Sequence, residues 1–566
     1  MIQVLQAAGT FDPADPASVE SAFVALEKRQ PGTAQEWEVW LHDLSAVTDT
    51  VGEQASRTYV DKSCHTDDKD IEKRFLSFIT TVAPVVDRAM FRLKKKFLAH
   101  PATAQLMDQK YALLLRDWST EAALFREENV ELETKIAETT SEYDKLCGQM
   151  SVEHEGKTLT LQQAGALLED PSRALREKIW RQIADRRLQD AAAIEARFDE
   201  VYALRNKVAR QAGFKVTRDY FWKAKLRHDY TPADCEAFAE SIRECCLPLA
   251  REIHARRARL LRTGGLRPWD LAVDEKGRGP LRPYPQGDTQ SLEKGVETIF
   301  SKLSPELGSH FSVLRKERLL DLDSRHGKQP GGYQTNFDKS RRPFIFMNSA
   351  GTQRDVETLL HEGGHAFHYM DSCHEPLAFV RQAPMEFCEV ASMTMELFGG
   401  GHLDVFYTEE EANRARRAHL EGVVKLFLSI ASVDAFQHWL YTRDTCSVEE
   451  RSAEWTRLQG LVDTGVQWKG LEHYQRQSWH AIMHIFHAPF YYVEYGIAQI
   501  GALQMWSMFL KDRATALASY RRALALGGSR PLPELFRQAG MTFDFSRKTL
   551  APLMDMVREE LARTET

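Results

Sequence analysis

The segment "DVETLLHEGGHAFHYM", residues 355 to 370, limits what the chain can fold into more than any other stretch. Its apolar residues recur at helical spacing, which predicts an amphipathic helix. In such a helix His361 and His365 project from one face, one turn apart. Two imidazoles at that spacing can share one Zn²⁺, while Glu362 between them reaches a water beside the metal. The alternative is an ordinary helix in which both histidines find hydrogen-bond partners and bind no metal. The presence of a third ligand would favour the metal site over this alternative.

Signals at the start and middle of this helix bear on whether it forms. Thr352 followed by Asp355 resembles a capping box, which favours a helix beginning there. Gly363 and Gly364 act against it, since each glycine costs about 1 kcal/mol relative to alanine inside a helix. We therefore expect another chain segment to pack closely against the two glycines.

A second helix is predicted for "APMEFCEVASMTMELFGGG", beginning after Pro384 and ending at Gly399. It presents three carboxylates, those of Glu386, Glu389 and Glu396. From the residues alone, Glu386 and Glu389 are both possible third ligands of the metal.

His368 is a third histidine on the first helix, but it lies about 10.5 Å along the axis from His361. That is too far for three rings to converge tetrahedrally, so we interpret His368 as a residue beside the ligands or facing the substrate. A metzincin would carry Gly at 368 and His at 371, whereas this chain has His368 and Asp371.

Charge and composition exclude several classes of function. The 74 Lys and Arg against 81 Asp and Glu give a net charge of -7, without the basic excess of a nucleic-acid binder. The N-terminus has no signal-peptide pattern, and the most apolar run, "GVVKLFLSIASVDAF", is interrupted by Lys425 and Asp434. The eight cysteines form no CxxC pair. We therefore expect a soluble cytoplasmic protein with free thiols and no membrane partner.

The pattern of the N-terminal part is mainly helical. Pro84 should kink or split a long helical segment, and "MSVEHEGKTLTL" predicts a short β-hairpin that turns at Glu155 and Gly156. We place a boundary near residue 190, which separates an N-terminal helical lobe (1–190) from a catalytic region (191–566).

"PFIFMN", residues 343 to 348, reads as a short apolar strand just before the metal helix. As an edge strand it would pair with an extended peptide, and the alternative is simple burial.

The two helical motifs together indicate a family. HEGGHAFH followed by "MEFCEVASMTME" resembles the zinc peptidases of the thimet oligopeptidase and oligoendopeptidase F family, whose pattern is HExGHxxH and then a ligand glutamate in an E-V-x-S helix. "GKQPGGYQTNFDKSRRPFIFMNSAGTQRDVETLLHEGGHAFH", "LRPWDL" and "HIFHAPFYYVEYGIAQIGALQMW" are also similar to its bacterial oligoendopeptidase branch. The resemblance covers roughly residues 190 to 550.

The resemblance implies a site and an activity. The ligands of one zinc ion per chain would be His361, His365 and Glu389, with Glu386 beside them and Glu362 as general base. The implied activity is endopeptidase hydrolysis of short unfolded oligopeptides. The implied fold is mainly α and gluzincin-type, with two helical lobes enclosing a deep substrate channel and a small β-sheet beside the HExxH helix.

A C-terminal segment, "HIFHAPFYYVEYGIAQ", supplies aromatic and histidine side chains that lie on one face if a helix tolerates Pro489. These side chains are His484, His487, Tyr491 and Tyr495. Aromatic core packing is one interpretation. The resemblance implies donors to a developing oxyanion instead, Tyr495 first and then His484 and Tyr491, while the adjacent Tyr492 leaves the register open by one residue. We assign His487, Tyr491 and Tyr492 to substrate binding.

"PGGY", residues 330 to 333, reads as a turn from its residues alone. The resemblance makes it a mobile Gly-rich loop that places Gly332 and Tyr333 near the substrate.

Two other functions compete with endopeptidase activity. A zinc exopeptidase, either aminopeptidase or carboxypeptidase, is the alternative among enzymes, although the chain has no GxMEN-like element. A non-catalytic peptide-binding protein is the alternative outside them, and the intact Glu362 argues against it.

Overall fold

A computed structural model of the chain describes residues 11–106, 108–325, 327–329 and 331–565. Helix makes up 71% of the structure and strand 5%, which confirms the predicted mainly helical class with a small sheet. Within the described ranges, no helix combines the length and the apolar character needed to span a bilayer.

The elements follow in chain order. The first third contains α1 (Pro16–Lys28), α2 (Ala34–Cys64), α3 (Lys69–Ser77), α4 (Ala83–Ala99), α5 (Gln109–Leu124), α6 (Glu127–Gly148), β1 (Ser151–His154), β2 (Lys157–Thr160), α7 (Leu161–Ala166) and α8 (Arg173–Gln189). The middle contains α9 (Ala191–Gln211), α10 (Thr217–Ala224), α11 (Pro232–Leu260), α12 (Thr289–Leu303), α13 (Pro305–Lys316), β3 (Leu320–Asp323), β4 (Tyr333–Phe337), β5 (Arg342–Ser349), α14 (Gln353–Ser372), α15 (Ala378–Arg381) and α16 (Met385–Gly399). The last part contains α17 (Glu409–Tyr441), α18 (Val448–Leu461), α19 (Glu472–Arg476), α20 (Met483–His487), α21 (Tyr492–Lys511), α22 (Arg513–Leu524), α23 (Leu532–Gln538) and α24 (Arg547–Arg563).

Local signals explain several of these boundaries. β1 and β2 form the predicted antiparallel hairpin, and its turn residues Glu155 (φ 50°) and Gly156 (φ 75°) both adopt positive φ. That conformation matches the twist of the flanking strands in a two-residue hairpin. Pro84 does not split its segment: the π-helical residues Phe78–Val82 join α3 directly to α4, whose first turn contains Pro84, and the backbone stays helical throughout.

The chain forms two compact units, each assembled from three segments. The first unit comprises residues up to Phe125, Arg282–Tyr407 and Gly501–Phe543. The second unit comprises Arg126–Leu281, Thr408–Ile500 and the residues from Asp544 onward. The boundary expected near residue 190 stays a prediction, and among the described residues the change of unit in this part of the chain falls between Phe125 and Arg126.

A three-stranded sheet in the first unit leads into α14. Its strand order is β3-β5-β4, with β3 parallel and β4 antiparallel to β5. The segment "PFIFMN" belongs to β5, so the predicted strand is confirmed, and of the two interpretations left open the structure supports burial and not an edge position. Because β5 is hydrogen-bonded on both sides, it cannot receive a peptide strand, and its residues Phe344, Ile345, Phe346 and Met347 are buried. The two edge strands of this sheet are β3 and β4.

Candidate metal centre and active site

The start of α14 is fixed by the side chain of Asp355. Its carboxylate accepts hydrogen bonds from the backbone N–H of Thr352 (2.7 Å) and of Ala350 (3.0 Å), and from the hydroxyl of Tyr284 (2.6 Å). The predicted capping is confirmed, and the helix begins directly behind the central strand of the sheet.

Both glycines of the HEGGH segment lie where neighbouring elements approach closely. A Cβ added to Gly363 would lie 2.6 Å from the ring of Phe300 on α12. A Cβ added to Gly364 would lie 2.6 Å from the Cα of Ser392 and 2.7 Å from the carbonyl oxygen of Ala391, both on α16. The expected close packing is confirmed, and it offsets the poor helix propensity of the two glycines by bringing α16 against α14.

This approach brings three metal-ligating side chains together. One donor atom each from His361, His365 and Glu389 lies within 4.8 Å of the others. The Oε2 atom of Glu389 is 3.4 Å from Nε2 of His361 and 3.7 Å from Nε2 of His365. Donors that share one tetrahedral zinc at about 2.0–2.1 Å lie roughly 3.3 Å apart. Two imidazoles and one carboxylate are a typical donor set of a catalytic zinc site, so these residues fit the ion.

Neighbouring side chains orient these three candidate ligands. Nδ1 of His361 lies 2.6 Å from Oε1 of Glu396, and the hydroxyl of Ser392 donates to Oε2 of Glu389 at 3.1 Å. A carboxylate on the distal nitrogen fixes the ring and its tautomer and makes the imidazole a stronger ligand. Burial acts to lower the pKa of His361, but the carboxylates of Glu389 and Glu396 hold that pKa well above its usual value.

The role of Glu396 was not identified from the sequence, although its spacing contains the signal. It follows Glu389 by two helical turns, so both carboxylates point from one face of α16 towards α14. Glu386 is also buried on α16, but it is not one of the three grouped donors.

Glu362 is buried beside these residues, with 7% of its surface exposed. The backbone N–H of Gln334, on edge strand β4, donates a hydrogen bond to its carboxylate. Burial is the main reason why the pKa of Glu362 rises to about 7. A carboxylate with that pKa can both accept and return a proton near neutral pH.

His365 and His368 both lie in surroundings that favour neutral imidazole. Burial lowers the pKa of His365 to about 4 and that of His368 to about 3. The ring of His368 lies 5.9 Å from that of Phe387 on α16, in an edge-on arrangement. The structure therefore places His368 in the packing between α14 and α16, one turn beyond His365.

Tyr333 is the first residue of β4 and Gly332 directly precedes it, while Pro330 of the "PGGY" segment lies outside the described residues. The ring of Tyr333 stacks on Phe346 at 4.9 Å and meets Tyr59 at 5.2 Å. Burial raises the pKa of the Tyr333 phenol well above its usual value. This side chain is thus part of the packing around the sheet.

In the second unit, the segment from His484 to Tyr495 is not one helix, so the predicted single helical face is wrong. α20 ends at His487, Phe490 adopts a φ of 61°, and α21 begins at Tyr492. The guanidinium of Arg227 stabilises this break, because it donates to the carbonyl of Phe490 and, at 2.6 Å, to the carboxylate of Glu494.

The break still leaves a histidine and three tyrosines together. Ring centroids in this group lie 5.3 to 5.8 Å apart, and its members are His484, Tyr491, Tyr492 and Tyr495. The hydroxyl of Tyr495 is 3.3 Å from Nε2 of His484. His487 points elsewhere, and its Nε2 lies 2.7 Å from the carboxylate of Asp144 on α6.

The family of the chain follows from a comparison with known protein families. The family model described as peptidase family M3 matches residues 166–554, which is more than half of the chain. The chain belongs to peptidase family M3. The resemblance to oligoendopeptidase F seen in the sequence is thereby confirmed.

Relatives of this M3 chain include oligoendopeptidases. It is 24% identical over 338 residues to oligopeptidase PepF of Bacillus subtilis (strain 168), a match covering 56% of this chain and 47% of that protein. It is also 24% identical over 257 residues to an oligoendopeptidase F homolog of Borreliella burgdorferi, covering 43% of each. The chain thus spans about half the length of the curated relatives it matches.

Solved structures resemble the fold over nearly the whole chain. An X-ray structure assigned to oligoendopeptidase F has a TM-score of 0.92 and 26% identity, covering 99% of both chains. PZ peptidase A, solved with an inhibitor, has a TM-score of 0.92 and 24% identity, covering 98% of both chains.

Proposed function

We propose that this M3 family member is a zinc-dependent endopeptidase that hydrolyses short unfolded oligopeptides in the cytoplasm. The observation that carries the proposal is the convergence of His361, His365 and Glu389, with Glu362 buried next to them. None of the eight cysteines, all of which lie within the described residues, forms a disulfide.

The roles follow from the donor set and its surroundings. His361, His365 and Glu389 would hold one zinc ion per chain, and Glu396 would keep the His361 ring in its binding orientation. A zinc ion bound there supplies a Lewis acid, which polarises a peptide carbonyl and lowers the pKa of water. Glu362 would take the proton of the attacking water and pass it to the leaving amine.

Further roles rest on the family resemblance. We assign to Tyr495 and His484 the hydrogen bonds to the developing oxyanion, a role supported by the mutual placement of hydroxyl and imidazole at 3.3 Å. Substrate binding is proposed for a wider set, comprising Gly332, Tyr333, His487, Tyr491 and Tyr492. For Tyr333 this role would fall to its backbone at the start of the edge strand, because its ring is packed.

The direct test is cleavage of internally quenched peptides of about five to twenty residues, a range suited to peptide-sized sites. We expect turnover that a chelator abolishes and added zinc restores. Peptides blocked at both termini should be cleaved as readily as free ones, whereas an exopeptidase would fail on one blocked form. Rapid digestion of a stably folded protein would contradict the restriction to short peptides.

Comparing the wild type with the variant Glu362→Gln distinguishes a peptidase from a protein that only binds peptides. If the wild type binds peptides without cleaving them even when fully loaded with zinc, the catalytic proposal is wrong. If it cleaves and Glu362→Gln binds without cleaving, the general-base assignment stands.

A further inference from the structure

A second group of metal-ligating side chains lies in the second unit. Cys235 is in the first turn of α11, and Asp434 and His438 are one turn apart near the end of α17. All three are buried, with 1%, 3% and 6% of their surfaces exposed. One donor atom from each lies within 4.8 Å of the others, as is also true of His361, His365 and Glu389.

The hydrogen bonding of this group is incomplete. Nε2 of His438 lies 3.2 Å from Oδ2 of Asp434, yet neither ring nitrogen of His438 has a hydrogen-bond partner among the described residues. Oδ1 of Asp434 is likewise buried without a partner in the described part of the chain. A buried polar group left unsatisfied costs about 1–3 kcal/mol. Such groups in a well-packed interior require an explanation.

A shared metal ion provides that explanation. The separation of 3.2 Å is close to the roughly 3.3 Å between two donors on one tetrahedral zinc, and to the 3.4 Å between His361 and Glu389. Nε2 of His438 lies 3.2 Å from Asp434 but makes no hydrogen bond to it, so the imidazole and the carboxylate do not have the relative orientation of a hydrogen-bonded pair. Both can instead be directed at a third atom.

Charge and surroundings favour the same conclusion. The His438 ring lies 5.9 Å from the ring of Trp222 and 5.2 Å from that of Phe490, so one side of the cluster is aromatic. An isolated charge is costly in such a place. A divalent cation bound by one thiolate, one carboxylate and one neutral imidazole gives a net charge of zero, and the thiol proton is released to solvent on binding.

We propose that Cys235, Asp434 and His438 form a second metal site, which binds Zn²⁺ or a similar borderline-soft divalent ion. The donors include sulfur, which Zn²⁺ accepts and Mg²⁺ or Ca²⁺ do not favour. The ion would link α11 to α17, two of the long helices of the second unit. The role is structural, and it does not depend on the proposed peptidase activity.

Cobalt distinguishes this site from the candidate active site, because only this one contains sulfur. The full-length protein is stripped of metal with a chelator and titrated with Co²⁺. A thiolate ligand gives a near-ultraviolet charge-transfer band, which His361, His365 and Glu389 cannot produce. We expect saturation at two Co²⁺ per chain with a band intensity that corresponds to one thiolate site, and zinc-loaded protein to contain two zinc ions per chain.

Variants assign the band to the cluster. Cys235→Ser should abolish it, and His438→Gln should shift or weaken it. The double variant His361→Ala/His365→Ala should keep the full band while binding one ion fewer. Cys246→Ser is the matched control, since Cys246 is buried on the same helix, and it should leave the band unchanged.

Two results would overturn the proposal. One is a wild-type protein that shows no charge-transfer band at Co²⁺ saturation, a result that needs no variant and is independent of folding in the mutants. The other is a band that persists in Cys235→Ser, which would assign it to another cysteine. In either case the cluster is only a set of polar groups in contact, and the peptidase proposal is unaffected.

Discussion

Replacing Gly364 by alanine tests whether the approach of α16 to α14 sets the geometry of the candidate metal centre. Gly364 lies within α14 between His361 and His365, and it faces Ser392 and Ala391 on α16. These atoms belong to the backbone of α16, so they cannot turn away as the end of a flexible side chain can. Their position is further fixed because the carbonyl of Ala391 accepts a hydrogen bond from Tyr520 at 2.8 Å.

The size of the effect follows from the contact distances. The new Cβ would lie 2.6 Å from the Cα of Ser392, whereas ordinary contact begins at 3.4 Å, so the helices must separate locally by about 0.8 Å. Glu389 lies one turn before Ser392 and moves with it, while His361 and His365 stay on α14. Metal–ligand distances tolerate only about 0.2 Å. We therefore expect zinc affinity to fall by on the order of tenfold or more.

Stability should fall as well, but by less than the contact alone suggests. Overpacking in a well-packed interior costs about 1–3 kcal/mol. The better helix propensity of alanine returns about 1 kcal/mol. The net loss is therefore up to about 2 kcal/mol, measured on metal-free protein so that the lost zinc does not contribute.

The assay is a competition titration against a chromogenic zinc chelator, with thermal unfolding of the metal-free protein measured beside it. Gly422→Ala is the control, because Gly422 lies in α17 and an added Cβ there meets no atom within 4 Å. It should keep the zinc affinity and raise stability slightly. A Gly364→Ala protein that binds zinc as tightly as the wild type would refute the proposed link between helix spacing and metal geometry.

Three further substitutions separate the proposed roles. Glu362→Gln should retain about one zinc per chain at the candidate centre while turnover collapses, whereas Glu389→Ala should lose that zinc on dialysis. The zinc content and the activity of each variant are measured together. A Glu389→Ala protein that keeps its zinc would contradict the ligand assignment. Glu396→Gln should weaken zinc binding by about 10–100-fold, because the amide holds His361 less strongly, and an unchanged affinity would show that the 2.6 Å contact is incidental. Tyr495→Phe should lower kcat by roughly 10²–10³-fold with little change in KM, and an unchanged kcat would move the donor role to a neighbouring tyrosine or histidine.

The helices of the candidate metal centre could be predicted from the sequence because their determinants are local. Asp355 caps α14 from three residues away, and the predicted start and end of α16 match the structure. Gly363 and Gly364 also predicted a contact with a distant segment, because their low helix propensity has to be offset by close packing against another part of the chain. The identity of that neighbour, the backbone at Ala391 and Ser392, follows from packing and has no signature in the residues themselves.

The errors concern features that distant segments determine. β5 has the apolar pattern of a buried strand, but its place in the centre of the sheet depends on β3, whose four residues Leu-Asp-Leu-Asp are too short a run to predict a strand. The break before Tyr492 depends partly on Arg227, which binds the carbonyl of Phe490 from far along the chain. Pro489 signals a weak point in the helix but not the positive φ of its neighbour.

The two proposed metal sites show the same limit on prediction. Each contains a pair of ligands one helical turn apart, His361 with His365 and Asp434 with His438, and a pair of that kind is visible in any sequence. The third ligand comes from another helix in both cases. For the first pair a family pattern points to Glu389, whereas for the second pair nothing near Cys235 in the sequence connects it to α17. Two possible ligands on one helix therefore predict a specific metal site only when the third ligand is known. That third ligand is identified either from the packing of the fold or from a family pattern that reflects this packing.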